Sequence, residues 1–266
     1  MNVKIFYFSG TGNTLMTVRV LRDELLDNNV GAEIINIEDI NTGSEQSAGP
    51  ASDKFIMAFP VYYYGPPKII SRFLEQLPEG NGRDCCLVLN YGLLAVNTYV
   101  ITAKLLKARG YNVSYCAGIR MPANYINVYN THKPETNTEI INKSLLKIKE
   151  IAGDISAGRT NQIIKGNLLL KLPMRLLYFI YIKLADWMGS RYYADDKCTK
   201  CGLCVKLCPV YNVKMDKDEK PEWDHRCEQC VRCIHLCPEE AIQWFSLTKK
   251  RRRYKNPRIE VKDLTP

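Results

Sequence analysis

Several features that would place this chain quickly are missing from it. Its 266 residues contain no stretch of about 20 uncharged apolar residues, which argues against a membrane-spanning helix. Residues 1–8 are followed at once by Ser9, too early for the apolar centre of a secretion signal, so a cytoplasmic location is expected. Eleven cysteines make up only about 4% of the residues, short of a disulfide scaffold. Disorder is equally poorly supported, since apolar residues reach 46% and charged residues 24%.

What the chain does have is unevenly spread. The net charge is +9, yet residues 1–150 are almost balanced, with 15 basic and 14 acidic side chains. Residues 151–194 hold six basic and two acidic groups, and residues 249–258 hold seven basic groups and no acid. Such a tail suits an acidic partner, an anionic surface or nucleic acid. The cysteines are also clustered, with eight of them between Cys198 and Cys237. In a reducing compartment that density points to metal rather than disulfides.

Apolar periodicity divides the first half into alternating elements. Strands are expected at residues 3–8, 33–37, 54–60, 85–90 and 113–119, and helices at 14–29, 67–77, 97–109 and 135–153. Five strands interleaved with helices imply an α/β fold, a doubly wound parallel sheet. Ligands of such sheets bind beyond the carboxyl ends of the strands. There the first strand runs into Ser9-Gly10-Thr11-Gly12-Asn13-Thr14 and then directly into a helix. Two glycines, three hydroxyls, one amide and a helix N-terminus make a phosphate cradle. Two rival loops fail on a missing residue. Leu15 stands where a dinucleotide fingerprint needs its third glycine, and the lysine of a nucleotide-triphosphatase loop is absent.

On the motif hydroxyl-any-Thr-Gly-any-Thr, matched by residues 9–14, this half resembles a flavodoxin. The resemblance covers residues 1–155. It implies a five-stranded sheet ordered 2-1-3-4-5 with FMN at the switch point between the first and third strands. Two more loops fit that place: Pro60, Tyr62, Tyr63, Tyr64 and Gly65 after the third strand, and Asn90, Tyr91 and Gly92 after the fourth. Three successive tyrosines cannot all face the core, so at least one is expected to stack on a flat ring, with Gly65 lending a backbone donor. After the fifth strand, Asn124 and Tyr125 either approach the cofactor or simply close their loop. Ordinary flavodoxins are strongly acidic and this half is not, so their partners do not transfer. Cys85, Cys86 and Cys116 are expected to be buried structural thiols.

Residues 156–194 read as a helical linker. Leu169, Leu172, Leu176, Phe179 and Ile180 form one stripe, Lys171 and Arg175 another. The stripe is expected to pack against the neighbouring domains; contact with a membrane surface is the less favoured alternative.

In the second half, Cys198, Cys201, Cys204 and Cys208-Pro209 recur 29 residues later as Cys227, Cys230, Cys233 and Cys237-Pro238. Zinc pairs of Cys-x2-Cys would have no use for the third and fourth cysteines of each run. The spacing resembles bacterial two-cluster ferredoxins. That resemblance implies a small α+β domain at residues 195–247 with two [4Fe-4S] clusters. It also implies crossed ligation: Cys198, Cys201, Cys204 and Cys237 on one cluster, and Cys227, Cys230, Cys233 and Cys208 on the other. His225 and His235 are then left with surface roles. Residues 248–266 form a basic tail, expected to offset cluster charge or steer an acidic redox protein rather than to bind nucleic acid.

The whole chain resembles flavodoxin–ferredoxin fusion proteins of anaerobic bacteria. The function implied is low-potential electron transfer between FMN and the clusters, as a relay or an iron–sulfur flavoprotein oxidoreductase, with no catalytic residue assigned. The alternatives are an FMN-dependent reductase of a small quinone, nitro or enone acceptor, and a membrane-docked accessory of electron transport.

Overall fold

Strand β1 (Asn2–Tyr7) alternates side chains between two apolar layers: Val3, Ile5 and Tyr7 enter one, Phe6 and Phe8 the other. A strand buried on both faces belongs inside a parallel sheet, and the computed structural model, which describes residues 1–40, 54–161 and 168–265, places it there. It lies between β2 (Gly31–Asn36) and β3 (Lys54–Pro60), and the sheet continues through β4 (Asp84–Tyr91) to β5 (Asn112–Arg120). All pairings are parallel and the order is β2-β1-β3-β4-β5. This is the flavodoxin-like order expected from the sequence.

Helices α1 (Asn13–Asp27) and α5 (Pro134–Ser156) cover one face of the sheet. The one-turn helix α2 (Ile37–Ile40) follows β2. On the other face lie α3 (Lys68–Gln76) and α4 (Val96–Ala108). Cys85, Cys86 and Cys116 are buried between these layers.

Helix α6 (Leu168–Gly189) then leads into the second domain. Strand β6 (Tyr192–Ala194) pairs antiparallel with β9 (Ile242–Trp244), and β7 (Val213–Met215) with β8 (Pro221–Trp223). The short helices α7 (Leu203–Lys206) and α8 (Arg232–Leu236) each lie within a cysteine run and carry its third cysteine, Cys204 and Cys233. Seven buried residues, Ile126 and Val231 among them, form the small core here, and cysteines from both runs pack around it. The domain is not autonomous. Leu207, Leu236 and Leu264 extend the apolar layer beneath α1 and α5, and Cys230 joins the opposite layer.

Helix α6 departs from expectation. Its buried side chains are Met174, Tyr181 and Ala185, whereas Leu172, Leu176, Phe179 and Ile180 are exposed. The stripe expected to pack inward therefore faces solvent. The side chains of Leu169 and Lys171 lie outside the described residues.

Candidate functional site

A cavity of about 340 Å³ opens at the carboxyl ends of β1, β3, β4 and β5. Its walls include Ser9, Gly10, Thr11, Asn13 and Thr14 from the first loop, and Pro60, Tyr62, Tyr63 and Tyr64 from the third. Asn90, Tyr91 and Gly92 come from the fourth, and the run from Met121 to Tyr125 from the fifth. Two of the residues expected there stand elsewhere. Gly12 has a φ of 96° and turns its α-carbon toward the C-terminal segment, where a Cβ would meet Ile259 and Asn256 at 3.1 and 3.3 Å. Gly65 sits under the Tyr178 ring, which a Cβ would strike, and its N–H donates to the Tyr62 carbonyl at 2.9 Å. The donor expected of Gly65 is thus used within its own turn.

The first loop has the character of an anion cradle. The Leu15 N–H donates to Ser9 Oγ at 3.2 Å, and Asn124 donates to Thr11 Oγ1 at 2.5 Å. Thr14 Oγ1, at the start of α1, is buried without a protein partner. A buried hydroxyl without a partner is costly, and this one lies where a helix N-terminus favours a phosphate group. Two of the three tyrosines are held by other rings. Tyr62 meets Phe8 edge-on at 6.4 Å, while Tyr63 stacks on Tyr181 at 4.8 Å and 12° and meets Tyr125 edge-on at 5.1 Å. Tyr63 and Tyr64 have φ values of 48° and 66°, a left-handed turn uncommon for such residues. Burial raises the pKa of both Tyr62 and Tyr63, so both remain neutral phenols.

The cysteines gather in two further cavities. Cys198, Cys201, Cys204 and Cys237 line one, and Cys208, Cys227, Cys230 and Cys233 line the other. Each cavity thus draws three thiols from one run and the fourth from the other. Burial pushes the free thiols of Cys204 and Cys230 up to about 12, so a bound cation is what would make them thiolates near neutral pH.

The second cysteine run also reaches the first cavity. Gln229, Cys230 and Val231 form part of its wall, so Cys230 lines two cavities at once. A Cβ on Gly10 would lie 3.0 Å from the Cys230 carbonyl and 2.5 Å from the Tyr62 hydroxyl. Only glycine allows that approach.

Arg232 locks the junction. Fully buried, it pairs with Glu38 at 2.5 Å and donates to the carbonyls of Ser9, Gly10, Leu207 and Leu264. Removing one partner of such a pair costs about 3–5 kcal/mol, because the other charge stays buried.

His235, expected at the surface, is wholly buried. Its Nε2–H donates to the Asn124 carbonyl at 2.7 Å, and its Nδ1 accepts from the Tyr254 N–H at 3.0 Å. Burial pulls its pKa down to about 4, leaving the neutral ring that these two bonds need. Tyr254 in turn donates to Asn13 Oδ1 at 2.6 Å, so the C-terminal segment is tied to the phosphate-type loop. In the same segment the guanidinium groups of Arg251, Arg252 and Arg253 donate to backbone carbonyls, including those of Ile126, Thr131 and Ile242. His225 is exposed.

Residues 191–238 match the family of 4Fe–4S dicluster domains. The chain joins a flavodoxin-like fold to a 4Fe–4S dicluster domain. No curated protein matches the chain in sequence. Among solved structures, it overlaps a flavodoxin from the domain Archaea at 17% identity, with 59% of this chain and 98% of that one covered and a TM-score of 0.42. Two-electron-reduced Megasphaera elsdenii flavodoxin gives 16%, 57%, 98% and 0.39. Oxidised flavodoxin 2 from Bacillus cereus gives 16%, 59%, 99% and 0.42. The flavodoxin-like assignment rests on the strand order described above. The contacts that sequence reasoning missed are those between the flavodoxin-like and dicluster domains: Leu177, Gln229, Cys230 and Val231 carry no local signal for a wall they share with distant loops.

Proposed function

We propose that this chain is an electron-transfer flavoprotein. FMN occupies the cavity at the sheet's carboxyl edge. One 4Fe–4S cluster is held by Cys198, Cys201, Cys204 and Cys237, and a second by Cys208, Cys227, Cys230 and Cys233. When bound, a flavin trades electrons in pairs or singly and a cubane cluster passes them one at a time. The observation that carries this reading is the shared wall: Cys230 lines both the flavin cavity and the cavity of the second cluster.

The residues divide the work. Thr14 offers its unpartnered hydroxyl to the phosphate, and Ser9 and Thr11 hold the loop around it. Tyr62, Tyr63 and Tyr64 wall the ring end of the cavity. Gly10 admits the Cys230 backbone, and Arg232 clamps the two loops together. The cluster next to the flavin is then the one on Cys230. The other reaches the surface at Cys201, which is exposed and has exposed Lys197, Lys200 and Lys206 near it in the chain.

Protein purified without air should contain about eight iron, eight sulfide and one FMN per chain. Elemental analysis and flavin release measure this. Four iron and four sulfide would remove one cluster from the proposal, and zinc in place of iron would end it.

A further inference from the structure

Helix α6 is held from one side only. Tyr178 donates to the Pro66 carbonyl at 2.9 Å, Tyr181 to the Glu228 carbonyl at 3.1 Å, and Asp186 accepts from Lys68 at 2.6 Å. Buried Met174, Tyr181 and Ala185 complete this inner side. The helix is a fixed strut between the two domains, so fraying does not explain what its other side exposes. There Leu172, Leu176, Phe179, Ile180, Leu184 and Trp187 have exposures of 76%, 58%, 58%, 41%, 43% and 50%. At about 100° per residue they form a band opposite the buried stripe, with Lys183 standing within it. Phe245, 6.4 Å from the Trp187 ring, and exposed Leu247 extend that band beyond the helix. Proteins that stay free in water seldom leave so many large apolar side chains exposed along one helix face.

The charges around the band identify what covers it. Arg175, Lys183 and Arg191 are exposed along the helix and just past its end, and Lys249 and Lys250 are exposed beside Phe245 and Leu247. The Lys183 ammonium lies 5.8 Å from the Phe179 ring centre, and the Arg191 guanidinium 5.0 Å from that of Trp187. Asp186, the helix's one acidic residue, is neutralised by Lys68. A second copy of the chain would add its own basic groups to those already bordering this face. A bilayer with anionic headgroups instead offers hydrocarbon to the band and negative charge to its basic border, with aromatic rings at the interface level.

We propose that the outer face of α6 docks this protein, with the helix lying in the plane of the interface, on an anionic phospholipid bilayer. Among the described residues no helix is long and apolar enough to cross one. Leu177 belongs both to α6 and to the lining of the flavin cavity, where Leu93, Leu94 and Val128 are also exposed. Docking therefore brings the mouth of that cavity close to lipid. The proposal holds whatever fills the cavity, and its test does not depend on flavin or cluster content.

The test is cosedimentation of the full-length protein, as purified, with vesicles of phosphatidylcholine alone or mixed with an equal part of phosphatidylglycerol. Binding is expected on the mixed vesicles, weakened by high salt. Leu176→Glu and Phe179→Glu should each weaken it about tenfold or more, the loss expected from withdrawing one large apolar side chain. Both positions are exposed, and an unchanged circular dichroism spectrum checks that the fold is intact. Lys249→Glu combined with Lys250→Glu leaves α6 untouched and should also weaken binding. The proposal is overturned if the protein ignores both vesicle types, binds them equally, or binds as before in these variants. It is also overturned if the α6 variants dissociate a dimer, since the face would then join two copies of the chain.

Discussion

Thr14 is the residue on which the flavin reading can be tested most narrowly. Its hydroxyl is buried without a partner, and it occupies the last position of the loop motif. Valine keeps the shape and removes the donor. A hydrogen bond to a charged group contributes about 1.5–3 kcal/mol, so Thr14→Val should weaken FMN binding about ten- to a hundredfold. Fluorescence titration of flavin-depleted protein measures this, and the visible absorbance of the clusters should stay the same. Unchanged affinity would place the phosphate elsewhere. This loop was legible because its chemistry is local: six consecutive residues supply the glycines, the hydroxyls and the helix start. That Gly12 and Gly65 do not line the cavity has a related reason. A glycine's freedom is visible in sequence, but whether the space beside it holds a ligand or a distant side chain is decided by packing, here by Ile259 and Tyr178. His235 misled in the same way, because its partners, Asn124 and Tyr254, come from other parts of the chain.

At the scale of elements, the two cysteine runs exchange their fourth members. The Cys198 run sends Cys208 to the cavity of the other run and receives Cys237 in return. Cys208→Ala should therefore disturb the cluster on Cys227, Cys230 and Cys233 more than its neighbour. Electron paramagnetic resonance of the reduced protein would show one signal altered and the other kept; loss of the Cys198 signal alone would refute the exchange. The repeat and the five strands of the first half were readable, since each follows from a short period or a fixed spacing; the sheet order came from the resemblance to flavodoxins, and the short strands β6 to β9 gave no such signal. The packing of helix α6 was not readable either. Periodicity assigns the most apolar stripe to the interior, an inference that holds when packing against the same chain decides burial. In α6 a Met, two Tyr and an Ala fit the junction between the domains, and the more apolar stripe is left outside.

At the scale of the molecule, the dicluster domain rests on the flavodoxin-like domain rather than trailing from it. Arg232 binds carbonyls on both sides of the boundary and pairs with Glu38. The segment after β9 returns across the structure to put Tyr254 and Asn256 on Asn13. A basic tail and a linker were what composition offered; the ties they make depend on residues distant in the chain, such as Glu228 for Tyr181 and Asn13 for Tyr254. Their outcome is a wall, Cys230 included, shared by the cavity at the sheet's carboxyl edge and the second cysteine cavity. The direct test is to reduce the flavin with a light flash in air-free holoprotein and follow flavin and cluster absorbance over a range of protein concentrations. Exchange within one chain predicts that the flavin loses its electron as the cluster bleaches, with a first-order rate independent of concentration. A rate that rises in proportion to concentration, or a cluster that never bleaches, would contradict it.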